Sequence, residues 1–217
     1  LGLQIVGGFT EKLKLCSLLV DDIRIEHGFP VKGCKEVRFS NGGQFIAAVA
    51  QNGVHIYSSI TNNHIATLRG HVGQVKAIAF SKDDRRLVTV SIDGAIYEWN
   101  TQTWQRMQDN VVKTCAYTAV TYDDQGNSIL CSASDKMLRE IVEGKIDKQV
   151  SCGPDVLTTI AFSSKHRAVF AGTTSGAIRI FEYPLTGAYK EVLVHAGSIA
   201  RLRLSPQDEF LFSAGED

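Results

Sequence analysis

A repeat of about forty residues runs through this chain from end to end, and it constrains the fold more than any single motif. The segments VRFS (37–40), IAFS (78–81), VTYD (120–123), IAFS (160–163) and LRLS (202–205) align on Phe39, Phe80, Tyr122, Phe162 and Leu204. Successive members of that column are 41, 42, 40 and 42 residues apart. Thirteen residues after each comes a turn position, Asn52, Asp93, Asp135, Ser175 and Asp217, followed by glycine at Gly53, Gly94 and Gly176. Asn-Gly or Asp-Gly between alternating apolar runs is a strong hairpin signal. Five units sharing one internal offset exclude a single non-repeating core.

Each unit reads as four short strands. In the best-marked one they are QVKAIAFS (74–81), RLVTVSI (86–92), AIYEWN (95–100) and TWQRMQ (103–108), with the polar turn KDDR (82–85) after the first. The runs alternate and are rich in β-branched and aromatic residues. No apolar period of 3.6 residues persists over three turns, so almost no helix is expected. Four strands per unit at this period specify an all-β propeller blade, a sheet that is buried only by stacking on its neighbours. The predicted units are 1–29 (partial), 30–69, 70–111, 112–152, 153–194 and 195–217 (partial). LQIVGG (3–8), EKLKLCSL (11–18) and DIRIEHG (22–28) align with second, third and fourth strands, whereas SIARLRLS (198–205) and EFLFSAG (209–215) align with first and second. The chain thus opens and closes in mid-blade, and isolated it would expose strand edges. This predicts a stretch of a longer chain, within a ring of seven or eight blades.

Composition then removes function classes. Lys+Arg and Asp+Glu number 23 each, without the basic surplus of a nucleic-acid protein. Hydrophobic residues reach 44%, enough for a sizeable core, yet no run approaches a membrane-spanning length. The opening residues lack the pattern of a signal peptide. Five cysteines (Cys16, Cys34, Cys115, Cys131 and Cys152) contain no CxxC pair and read as reduced thiols of a cytosolic core.

Nothing marks an enzyme. The histidines His27, His55, His64, His71, His166 and His195 form no HExxH and no zinc-ligand spacing with cysteine. Asp83-Asp84 and Asp123-Asp124 fall in turns, where aspartate is a common turn former. No glycine-rich phosphate loop occurs, so catalytic residues, metal and cofactor are all expected to be none. Arg201 and Arg203 read as an ordinary solvated strand face. Candidates for a protein-binding surface are loop-proximal: Ile92 beside the Asp93 turn, Gln74 and Lys76 at the start of the neighbouring first strand, Tyr117, Asp155, and Trp104 on the outermost strand.

Gly70-His71, Asp93-Gly94 and Trp99-Asn100 resemble the GH…D-G…W-D signature of WD-repeat propellers. The resemblance implies a hydrogen-bonded chain through His71, Thr89 (or Ser91), Asp93 and Trp99, partly repeated by His195, Ser213 and Asp217. Elsewhere the histidine slot holds Pro30, Lys113 and Gly153, and the tryptophan slot holds Cys16, Tyr57, Ile141 and Phe181. Those blades are expected to rely on packing alone. Tyr57 stands one residue early, which predicts a shortened third strand or a tighter turn.

The stretches GGFTEKLKL (7–15), SLLVDDIRI (17–25), GCKEVRFSNGGQFIAAV (33–49) and LVTVSIDGAIYEWN (87–100) resemble the cilia- and flagella-associated protein 57 family of WD-repeat proteins. That resemblance implies two tandem propellers followed by a coiled coil, with this piece in the second propeller. It also implies a place in the axoneme near inner dynein arms, protein partners there, no nucleic acid and no membrane. The alternative is a generic cytosolic adaptor, such as a ubiquitin-ligase substrate receptor or a ribosome-assembly factor.

Overall fold

The computed structural model describes residues 4–217, and within them every regular element is a strand. Three strands come first, β1 (Gln4–Gly8), β2 (Leu13–Leu18) and β3 (Ile23–Phe29). Four complete four-stranded sheets follow. They are β4 (Glu36–Phe39) to β7 (His64–Leu68), β8 (Val75–Phe80) to β11 (Arg106–Val111), β12 (Tyr117–Tyr122) to β15 (Lys145–Ser151), and β16 (Leu157–Ser163) to β19 (Tyr189–Leu193). The last sheet pairs β20 (Ile199–Leu204) with β21 (Leu211–Gly215). Within each sheet consecutive strands pair antiparallel, as short connections require. Leu3, the first residue of the predicted strand 3–8, lies outside the described residues.

The core lies between sheets, which is what makes the repeat a propeller. Val88, Val90 and Ile96 of one sheet pack on Tyr117, Val120 and Cys131 of the next. Val49 and Ile56 meet Val75 and Leu87, and Leu130 and Leu138 meet Leu157 and Val169 in the same way. Burial falls from the middle strands outward. In the second complete sheet, β9 (Arg86–Ser91) and β10 (Ala95–Asn100) are almost wholly buried, whereas β11 is mostly exposed. All five cysteines are free thiols.

Polar links cross the same seams. The Tyr122 hydroxyl donates to Glu98 Oε1 at 2.9 Å, the Tyr183 hydroxyl donates to Glu140 Oε1 at 2.6 Å, and Thr118 Oγ1 donates to the Leu157 carbonyl at 2.6 Å. Arg201 and Arg203 of β20 are no simple solvated face: both reach the buried Glu36 of β4, at 2.5 and 3.4 Å. The early position of Tyr57 has its cause in a tighter turn. Ala50 pairs directly with Gly53, which leaves a two-residue turn with Gln51 at φ 55°, and the third strand keeps its six residues, Gly53–Ser58.

Candidate interaction surface

Strand direction decides which residues can share a surface. In the second complete sheet, the turn between β9 and β10 and the loop leading into β8 lie at one end of the blade. The turn between β10 and β11 lies at the other, about 20 Å away for a six-residue strand. Ile92, Gln74 and Lys76 belong to the first end. Trp104 belongs to the second, because it sits in the turn before β11 and not on the outermost strand. There its φ is 55° and its ring meets Phe45 edge-on at 5.1 Å, over a groove of about 840 Å³ between two blades.

The first end is organised by the histidine corner. Trp99 Nε1 donates to Thr89 Oγ1 at 3.0 Å, and that hydroxyl shares a 2.7 Å bond with His71 Nε2. The His71 ring stacks on Tyr97 at 4.3 Å, and the Arg106 guanidinium lies over the same Tyr97 ring at 4.6 Å. Thr89, not Ser91, is the central hydroxyl; Ser91 Oγ instead accepts from the Asp93 amide at 3.3 Å. His71 Nδ1 stands 3.6 Å from Asp93 Oδ1, beyond hydrogen-bond distance, so Asp93 is not a fourth link. Its carboxylate accepts the amides of Val72 (2.8 Å), Gly73 (3.1 Å) and Ala95 (3.0 Å) and ties the loop to the turn.

Burial holds the His71 imidazole below its ordinary value, with Arg106 adding to the effect and Asp93 opposing it. Burial alone would raise the Asp93 carboxyl, but the amides of Gly73, Ala95 and Val72 outweigh it and bring the pKa down. In the last sheet, His195 Nε2 meets Ser213 Oγ at 2.9 Å and Nδ1 meets Asp217 Oδ1 at 2.9 Å.

The tied loop presents an apolar pair absent from the sequence reading. Val72 is 89% exposed, and Ile92, 44% exposed, leans over Gly73. A side chain at Gly73 would run into Ile92 Cγ1 at 2.8 Å. Lys76 is exposed, and Gln74 gives its carbonyl to the Ile92 amide at 3.1 Å. Tyr117 does not belong to this surface. It is fully buried in β12, where it packs in the core between two sheets and burial raises its hydroxyl pKa. Asp155 is engaged by an arginine, as follows.

Two of the blades without the histidine do not rely on packing alone. Arg139 and Arg179 occupy the third-strand position that Tyr97 holds, and both are buried. Arg179 Nε donates to Glu191 at 2.5 Å, Nη1 to the Cys152 carbonyl at 2.6 Å and Nη2 to Asp155. It thereby ties the loop before β16, in the region where His71 ties the loop before β8. A Cβ at Gly153 would sit 3.3 Å from Arg179 Nη1 and collide with the Tyr189 hydroxyl, so glycine in the histidine slot makes room for the arginine system. Arg139 pairs with Asp135 and donates to Gln149 at 3.0 Å. The missed signal was an arginine four residues after Asp135 and after Ser175, in units lacking the histidine.

Among the described residues, no group of three or more His, Cys, Asp and Glu is arranged to hold a metal ion. Comparison with known proteins matches residues 62–100 to the WD domain, G-beta repeat. The whole chain aligns at 39% identity with cilia- and flagella-associated protein 57 of Mus musculus, covering 18% of that protein. It also aligns at 29% with cilia- and flagella-associated protein 57 C of Tetrahymena thermophila, covering 19%. The chain therefore spans about a fifth of the length of these curated relatives. In three dimensions, the Cps50 (Swd1) β-propeller domain of Myceliophteria thermophila superposes with a TM-score of 0.76 and 18% identity over 85% of this chain and 62% of that one. The chain is a run of β-propeller blades, one of which matches the WD domain, G-beta repeat, and it is similar over its whole length to cilia- and flagella-associated protein 57.

Proposed function

We infer that this propeller is a non-enzymatic protein-binding scaffold of cilia and flagella, acting in the axoneme beside the inner dynein arms. The observation that carries the reading is the 39% identity, sustained over all 217 residues, with a mouse protein named for cilia and flagella. The mechanism is geometric. Stacked blades fix loops at each end of the disc, and a partner docks on side chains whose positions are set before it arrives. Ile92, Gln74 and Lys76, with Val72, form the leading contact surface, and Trp104 marks a second one at the opposite end. The buried His71 and Arg179 corners hold loops in place.

The test is to tag the full-length protein in a motile ciliated cell and score beating in a strain that lacks it. Signal along the axoneme together with altered beating supports the reading. A diffuse signal with normal beating contradicts it and leaves a general adaptor.

A further inference from the structure

We propose that the Val72–Ile92 surface binds an acidic peptide segment carrying one apolar anchor residue; this deepens the scaffold reading and rests on it. Two observations combine. The apolar half is built and held: Asp93 takes the Val72 and Gly73 amides, and Gly73 leaves the space that Ile92 occupies. An exposed valine on a pinned loop loses little conformational freedom on binding, which suits an anchor contact.

The charged half has one sign. Arg69, Lys76 and Lys113 stand exposed on the loops and strand start around this corner, and among the described residues none of the three is paired with a carboxylate. The acidic groups at this end of the central blades are already engaged. Asp93 is held by amides, Asp135 by Arg139 and Asp155 by Arg179. A segment with carboxylates on either side of a leucine-like residue would satisfy both halves at once. A nucleic-acid backbone would meet the cations and leave Val72 and Ile92 wet, so a protein segment is the better match.

The test uses the intact protein and an array of short synthetic peptides built around a central leucine, with glutamate-rich or lysine-rich flanks. Control spots carry serine for leucine, and a single-stranded oligonucleotide serves as a purely anionic probe. The expected result is retention of the acidic leucine peptides alone. Val72→Ser with Ile92→Ser should weaken that binding about tenfold or more, as for an anchor at an interface centre. Lys76→Glu with Lys113→Glu should weaken it a few fold, mostly through slower association at low salt. Unchanged thermal melting of both pairs checks that the exposed substitutions spare the fold.

Equal binding of leucine and serine peptides, binding of the oligonucleotide as well, preference for basic flanks, or no retained peptide would each overturn the proposal. The two readings fail separately. A protein that ignores acidic peptides but still decorates the axoneme keeps its scaffold role, whereas a diffuse signal removes that role too.

Discussion

The second and fourth complete sheets face the same problem with different chemistry. Both must tie the loop that enters the blade to the third strand. The β8–β11 blade does so with a neutral imidazole between a threonine hydroxyl and a tyrosine ring. The β16–β19 blade does so with a buried guanidinium that reaches two carboxylates and a carbonyl. A guanidinium keeps its charge at any ordinary pH, whereas an imidazole changes state near neutrality. The propeller therefore carries a proton-sensitive corner in its second complete sheet and a permanently charged one in its fourth, and the sensitive corner positions Val72 and Ile92.

The largest effect should come from breaking the charged corner. Arg179→Ala removes a side chain only 1% exposed and strands Asp155, Glu191 and the Cys152 carbonyl. The two carboxylates are part-exposed and can rehydrate, so the cost should be about 3 kcal/mol, the lower end for a broken buried pair. Arg179→Lys should recover little of it, because an ammonium cannot serve three acceptors in the guanidinium plane. Thermal or urea unfolding checks both variants.

Next comes Thr89→Val, nearly the same shape without the hydroxyl. Trp99 Nε1 and His71 Nε2 would lose their shared partner, at a cost of about 2 kcal/mol. Thr89→Ser should retain most of the stability. A loss no larger than that of a surface substitution would show that the bonds of this corner add nothing net.

Asp93→Ala should cost about 1–2 kcal/mol, because three loop amides lose their acceptor while a hydrogen bond to His71 is not among the losses. Faster hydrogen exchange confined to 70–75 would check it. The same variant should weaken partner binding through Val72 even where the fold survives.

The smallest effect is a pH dependence. The His71 pKa is lowered in the folded state by burial and by Arg106, with Asp93 opposing, so below about pH 6.5 the unfolded chain binds a proton that the folded chain resists. The contribution of this group is complete above the unfolded value and is lost as pH falls towards and through the folded one. The melting temperature should drop over that window, and His71→Gln should flatten the drop.

How far the sequence led follows from these corners. The propeller was legible because the period and the turn offset repeat in every unit, and local strand signals agree with the global stack. The His71, Thr89 and Trp99 contact was legible because its members sit at fixed offsets within one unit. Asp93 was placed correctly in the turn, but the bond it makes depends on a few tenths of an ångström that spacing cannot encode. Arg139 and Arg179 carry no mark in the histidine and tryptophan columns, because the compensating residues stand in the tyrosine column. Val72 escaped because a loop residue carries no periodic mark. Trp104 falls outside the outer strand because the chain is still turning there: its amide donates to the Asn100 carbonyl at 2.7 Å, and β11 begins only at Arg106.

The most direct test is native-state hydrogen exchange of the two entering loops, 69–74 and 152–156, at about pH 7.5 and about pH 5.5, on either side of the ordinary imidazole value. After correction for intrinsic rates, protection of 69–74 should fall at the lower pH while that of 152–156 holds. Equal loss in both loops, or no loss in the first, would contradict the claim that the two corners are held by different chemistry.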